Sequence, residues 1–208
     1  MGIYVFGAGG HAKVVLSTLL AAGCAVEGLF DDDPCKLGTQ VLGVRVLGTI
    51  SEAQRMAPAS GVLAVGSNQA RRDLAARLPG WEWIPVVHPH AYVDRSAVVG
   101  PGTVVFAGAV VQPEAKLGPH VIVNTGTNVD HDCRVGDYVH LAPGVNLAGS
   151  VCVEEGALVG VGAEVVPGMR IGAWSVVGAG AVVVRDVPAG STVAGVPARP
   201  LPRRRWRS

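Results

Sequence analysis

From Val93 to Pro188 the sequence divides without remainder into hexads: "VDRSAV VGPGTV VFAGAV VQPEAK LGPHVI VNTGTN VDHDCR VGDYVH LAPGVN LAGSVC VEEGAL VGVGAE VVPGMR IGAWSV VGAGAV VVRDVP". All sixteen open with Val, Leu or Ile, although these residues make up about a third of the segment. The fifth position is restricted as well, reading A, T, A, A, V, T, C, V, V, V, A, A, M, S, A, V. Hexapeptide periodicity is the sequence sign of a parallel β-helix. With three hexads to a coil, each opening aliphatic points inward and stacks on its equivalent in the next coil, at the ~4.8 Å spacing of hydrogen-bonded strands. Small fifth-position residues fit the inner corners, and glycines take turn conformations that other residues adopt at a cost. Sixteen hexads make about five coils.

Upstream, the rule changes. "IYVF" (Ile3–Phe6) is a short apolar strand followed by the glycine turn "GAGGHA", and "KVVLSTLLAAG" has helical spacing with a stop at Gly23. "VEGLF" running into "DDD" predicts a second strand, "GVLAVGSN" a third, "ARRDLAARL" a second helix and "WIPVVH" a last strand. Alternating elements of this kind predict a small parallel sheet wrapped by helices. The expected organisation is an α/β, Rossmann-like mononucleotide-binding domain over residues 1–89, a β-helix over 90–187, and a cap with a basic tail over 188–208.

The chain has 208 residues, of which 49% are hydrophobic and 16% charged, as in an ordinary packed protein. No apolar run reaches the ~20 residues of a membrane span, and Met1–Gly10 lacks the charged start and apolar middle of a signal peptide. The expected location is the cytoplasm. Cys24, Cys35, Cys133 and Cys152 show no C-x-x-C spacing, so reduced thiols are expected rather than a zinc site or a disulfide framework. The net charge of +1 is uneven: the last ten residues, "RPLPRRRWRS", hold five arginines and no acid. Such a tail can meet a phosphorylated cofactor, but by itself it is read as a solvated end, with no nucleic-acid partner expected.

Within the repeat, one hexad is anomalous. In "VDHDCR" Val129 and Cys133 take the inward and corner positions, which leaves Asp130, His131 and Asp132 on outward or turn positions. A carboxylate next to an imidazole fixes its tautomer and raises its basicity, the combination a general base needs near neutral pH. Asp130 and Asp132 are both candidates to orient the ring. The glycine turn is ambiguous on its own. Gly7, Gly9 and Ala12 satisfy G-x-G-x-x-G/A between a strand and a helix, with Asp31 to Asp33 about 20 residues on, which is also the dinucleotide fingerprint. A nicotinamide oxidoreductase is therefore a rival reading. About 89 residues supply only one mononucleotide-binding half, however, and the amides of such a turn favour phosphate of any kind.

The regular hexads, the closing "VAGVPAR" (Val193–Arg199) and the "GAGGHA" turn together resemble the hexapeptide-repeat acyltransferases. More narrowly, the whole chain resembles the sialic acid O-acetyltransferase-like branch, which includes bacterial N-acetyltransferases of nucleotide-linked amino sugars in the bacillosamine and perosamine pathways. The resemblance implies a left-handed β-helix, an exception to right-handed crossovers. It implies acetyl-CoA as co-substrate, direct transfer without an acyl-enzyme, and a nucleotide-linked amino-deoxy sugar as acceptor, with O-acetylation of a sugar as the alternative. It places the general base on His131 with Asp132 beside it, the thioester carbonyl at the backbone N–H of Gly149, and the pantetheine arm along Val161 and Ala179. The arginines of the cap fall near the adenosine phosphates. His140 is implied on the acyl-donor side of the same cleft. Gly9, Gly10 and His11 are implied near the phosphates or sugar, and Asp32 and Asn68 near base or ribose. A homotrimer is expected, since the family's subunits share sites and an exposed prism face rich in Val and Ala invites packing about the helix axes. His88, His90 and His120 are read as structural. No metal is expected: His120, His131 and His140 are spaced by 11 and 9 residues, which neither stacks them by coils nor pairs them closely.

Overall fold

The computed structural model of the protein describes residues 2–202. The N-terminal part is a six-stranded sheet of β1 (Ile3–Phe6), β2 (Val26–Phe30), β3 (Gln40–Val41), β4 (Val44–Gly48), β5 (Ser60–Leu63) and β6 (Glu82–Trp83), in the order β3-β4-β2-β1-β5-β6. All neighbours are parallel except the β3–β4 hairpin. Helix α1 (Gly10–Ala21) buries Ala12, Val15, Leu16 and Leu19, one stripe at helical spacing, and the chain leaves it through Gly23 at φ +72°. Gly7 has φ +114°, and a Cβ there would lie 2.9 Å from the Ala64 carbonyl oxygen, so the β1–α1 turn demands glycine at that point.

Two elements escape the sequence reading. The β3–β4 hairpin turns on Leu42 and Gly43, both at positive φ (+46° and +82°), a mirror-image turn that normally announces itself with Asn-Gly. The one-turn helix α2 (Ile50–Ala53) starts at a reciprocal Thr49–Glu52 capping box. The expected strand "WIPVVH" is in fact two: β6 pairs with β5, whereas Val86–Val87 pairs with Val104–Val105 in the β-helix. Pro85, without an N–H to give to a ladder, separates them.

The β-helix consists of three parallel sheets whose strands, mostly two residues long, repeat every three hexads; Val123, Leu141, Val159 and Val177, for example, stack in register. The hexad openers from Val105 to Val183 are all buried, as are all fifth-position residues from Thr103 to Val187 except the partly buried Met169. Each such aliphatic contributes about 1.5–3 kcal/mol by leaving water. Val87 opens one further hexad, so the solenoid begins a few residues before the expected boundary at 90 and runs to nearly six coils rather than about five. Thr192–Ala194 adds to the first sheet and Arg199–Pro200 folds back antiparallel on it, closing the end. Arg203, Arg204, Arg205 and Arg207 lie outside the described residues.

The three faces differ. Outward residues of the first are Val104, Ile122, His140, Leu158 and Val176, and Val104 and Ile122 are 1% exposed because they share a buried cluster with Ala12 and Leu16 of the N-terminal domain and with Phe106 of the β-helix itself. The second face presents Asn128, Asn146 and Glu164 in a hydrogen-bonded row, and the third presents Lys116, Arg134, Cys152 and Arg170. The N-terminal domain thus covers the Val104 and Ile122 part of the apolar first face.

Candidate active site

His131 lies on the turn that carries the chain from Asn128–Val129 on the second face to Arg134–Val135 on the third. Val129 and Cys133 are fully buried, which forces the intervening side chains outward; those of His131 and Asp132 are 59% and 60% exposed. Asp132 holds the left-handed turn position at φ +59°, a conformation aspartate tolerates better than most residues. Its Oδ2 lies 2.7 Å from His131 Nδ1. Asp130 instead accepts the backbone N–H of His131, at 2.7 Å. The ring is therefore oriented by Asp132 and its main chain by Asp130, which decides between the two aspartates. The hydrogen bond to Asp132, with the charge of Asp130 behind it, holds the imidazole pKa above its ordinary value. With Nδ1–H given to the carboxylate, Nε2 is the free basic atom. Gly149 stands one coil on: a Cβ there would come within 2.5 Å of Nε2, so the missing side chain is what makes room for the ring.

One pH prediction follows from this geometry. Removing the Asp132 charge lowers the imidazole pKa, and only the neutral ring accepts a proton. In Asp132→Asn the acidic limb of the kcat/KM profile therefore shifts to lower pH while the plateau falls, by less than on loss of the imidazole; a pH–rate series checks both.

A second group of residues gathers elsewhere. In the sheet order β2-β1-β5 the topology reverses between β1 and β5, and ligands of open α/β sheets bind outside the carboxyl ends of the strands at such a point. Gly9, Gly10, His11 and Gly66 stand there. A Cβ at Gly9, Gly10 or Gly66 would meet nothing within 4 Å, so these glycines border open space. His140 comes to the same place from the first face. Its Nδ1 is 3.3 Å from the Gly66 carbonyl and its ring centroid 6.2 Å from that of His11. A carbonyl can only accept, so His140 carries its proton on Nδ1, and Nε2 accepts from Asn124 Nδ2 at 3.2 Å; Asn124 Oδ1 in turn accepts from the Thr125 N–H. Burial, then neighbouring positive charge, lowers both His11 and His140 to about 4, so both rings are neutral at physiological pH. His11 Nε2 is buried without a hydrogen-bond partner among the described residues.

The residues read from the sequence thus separate. His131, Asp132 and Gly149 share the edge between the second and third faces, opposite the first face. Val161 and Ala179 stack on the edge between the first and second, with Gly180 N–H donating to the Val161 carbonyl, and Asn124 stands on that same edge. His140 lies on the first face, against Gly66 of the N-terminal domain and away from His131 of the same chain. Two residues expected near the base or ribose have partners within the protein. Asp32 spends Oδ1 on the Ile50 N–H and Oδ2 on Arg77, and Asn68 donates to the Gly156 and Ala157 carbonyls of the β-helix. Asp31, not Asp32, fastens the glycine turn, accepting from Ala8 N–H at 2.7 Å and from Lys36. Asn124 is the neighbour of His140 that the sequence reading missed; it was visible only as a polar second position in its hexad. Among the described residues no three His, Cys, Asp or Glu side chains gather to hold a metal.

Comparison with known proteins gives a consistent picture. The family model for the PglD N-terminal domain matches residues 2–78. The structure of PerB from Caulobacter crescentus, solved in complex with CoA and GDP-perosamine, is 40% identical and superposes with a TM-score of 0.91, covering 97% of this chain and 98% of that one. The acetyltransferase domain of PglB from Neisseria gonorrhoeae is also 40% identical, with a TM-score of 0.92 over 96% of this chain and 99% of that one. The UDP-N-acetylbacillosamine N-acetyltransferase of Bacillus subtilis is 42% identical over 110 residues, which cover 50% of this chain and 51% of that protein. The chain spans about half the length, or less, of the curated relatives it matches. The α/β domain, the left-handed parallel β-helix and 40% identity over nearly the whole chain to PerB and to the acetyltransferase domain of PglB lead to one conclusion: the chain belongs to the hexapeptide-repeat family of sugar N-acetyltransferases.

Proposed function

We propose that this protein transfers the acetyl group of acetyl-CoA to the amino group of a nucleotide-linked amino-deoxy sugar. The observation that carries the reading is the His131–Asp132 pair, an oriented and basic imidazole at an open edge whose Nε2 is kept accessible by Gly149. In the reaction the neutral amine attacks the thioester carbonyl, the C–N bond forms and the C–S bond breaks. His131 Nε2 takes the proton released by nitrogen and returns it to the CoA sulfur. The Gly149 N–H is the candidate donor to the oxyanion, and Val161 and Ala179 the candidate track for the pantetheine arm. Burial raises the Cys133 thiol to about 11, which leaves it unsuited to an acyl-enzyme and favours direct transfer. The nucleotide diphosphate is assigned to the open ground over Gly9 and Gly10, with His11 and His140 toward the sugar. The nicotinamide alternative loses support because Asp31, whose carboxylate would have to take the ribose, is engaged by Ala8, Asp33 and Lys36.

The base and the acceptor crevice stand on opposite sides of one β-helix. A reaction that needs both requires two copies, so the proposed assembly is a homotrimer in which His131 of one subunit faces the crevice of the next. Four free cysteines fit a reducing compartment, and no helix among the described residues is long and apolar enough to cross a membrane; we place the reaction in the cytoplasm. The activity is tested by thiol release from acetyl-CoA across UDP-, GDP- and dTDP-linked amino sugars, with the product identified by mass and by the acetylated position. Acetylation of nitrogen on one of them supports the proposal. Transfer only to hydroxyl groups would turn the reading to O-acetylation, and no release with any amino sugar would refute it.

A further inference from the structure

Among the described residues Arg71 is the largest fully buried side chain, 1% exposed, and no carboxylate meets it. An unpaired buried charge is costly unless every donor is satisfied. Here every donor is. Nε donates to the His120 carbonyl at 2.9 Å, Nη1 to the carbonyls of Val65 and Gly66 at 3.1 and 3.2 Å, and Nη2 to Asn68 Oδ1 at 3.1 Å and the Tyr138 carbonyl at 2.7 Å. Three of these acceptors belong to the turn after β5 and its helix α3 (Asn68–Arg77), and two to successive coils of the β-helix. Asn68 extends the grip to a third coil through Gly156 and Ala157.

We propose that Arg71 is a positioning residue for the acceptor crevice: it locks the Val65–Asn68 turn onto the β-helix and so fixes His140 through the shared Gly66 carbonyl. That carbonyl accepts from both Arg71 Nη1 and His140 Nδ1. The position of the carbonyl that takes the His140 Nδ1 proton is therefore set by one guanidinium, which works with the Asn124 donor on Nε2 to fix the orientation and tautomer of the ring. Lysine cannot substitute, because three donors on one nitrogen cannot span acceptors on both domains as a planar fork does. The charge stays on Arg71 at physiological pH even though burial lowers its pKa to about 10, and it disfavours a second charge on His11, His120 or His140.

The catalytic consequence rests on the proposed acetyl transfer, but the positioning role is readable without it. Arg71→Lys and the milder Asn68→Ala are compared with wild type in the full chain, with assembly checked by sedimentation. Nitrogen-15 NMR reads the His140 tautomer, calorimetry reads acetyl-CoA affinity, and initial rates read KM for the amino sugar that wild type uses. Wild type shows the proton on Nδ1 alone. Arg71→Lys mixes the two tautomers and raises the acceptor KM about ten- to a hundredfold, while acetyl-CoA affinity stays within about twofold, and Asn68→Ala moves the same readouts less. An unchanged His140 tautomer in Arg71→Lys, or parallel loss of both affinities in the two variants, would overturn the proposal. If wild type acetylates no amino sugar while the tautomer still mixes, the activity reading fails and the positioning role stands.

Discussion

His131→Ala lowers kcat by about 10² to 10⁴ and leaves both KM values within a few-fold. The expectation follows from where the side chain sits. A sugar ammonium is not nucleophilic, so a group must take a proton as nitrogen attacks, and an imidazole raised by the Asp132 hydrogen bond and the Asp130 charge suits that task near neutral pH. The ring is more than half exposed and its side-chain partner is Asp132, so truncation leaves no cavity and the buried stack of Val129 and Cys133 below it persists. The loss should therefore fall on the chemical step and not on folding. Circular dichroism and sedimentation confirm an intact assembly; a variant that keeps most of its kcat, with chemistry rate-limiting, removes His131 from the mechanism.

Gly9→Val raises the KM for the nucleotide sugar by one to two orders of magnitude and leaves acetyl-CoA affinity near wild type. Gly9 has φ −88° and ψ −165°, extended backbone that valine adopts readily, and a Cβ there meets no protein atom within 4 Å. The added branches therefore project into the space where the diphosphate is assigned, at the start of α1. Calorimetry with acetyl-CoA and rate measurements against the sugar separate the two sites. Equal loss of both affinities would contradict the division of substrates between the domains.

The β-helix was legible in the sequence because its burial pattern repeats: from Val105 to Val183 the same two positions of every hexad face a dry interior, and the wrong residue at any of them would be felt. The "VDHDC" anomaly stood out against that background for the same reason. What the spacing could not say is which face the N-terminal domain covers. His140 falls on a different face from His131, as its spacing implies, but its contacts with Gly66 and His11 come from the docking of the N-terminal domain. Arg71 was invisible, since "ARRDLAARL" reads as a solvated helix in which Arg71, Arg72 and Arg77 are alike, and only the docking of α3 on the solenoid buries one of them. Three successive aspartates end β2, and the choice of Asp31 over Asp32 as the support of the glycine turn depends on backbone direction after the strand, not on composition. The β3–β4 hairpin was missed because Leu42 occupies a turn position where the usual sequence signal is a polar residue.

The central claim is that His131 of one subunit serves the crevice of another, and subunit complementation tests it most directly. If the proposed homotrimer holds, the His131→Ala and Gly9→Val proteins are each nearly inactive at a sugar concentration near the wild-type KM. When the two are unfolded together and reassembled in equal amounts, a site with a sound base and a sound crevice arises wherever the two come from different variants in the right order. The account predicts recovery to about one quarter of wild-type activity, the share expected of random pairing at a shared site. A mixture whose activity stays at the mean of its two parents would show that each chain uses its own His131, and would contradict the shared site.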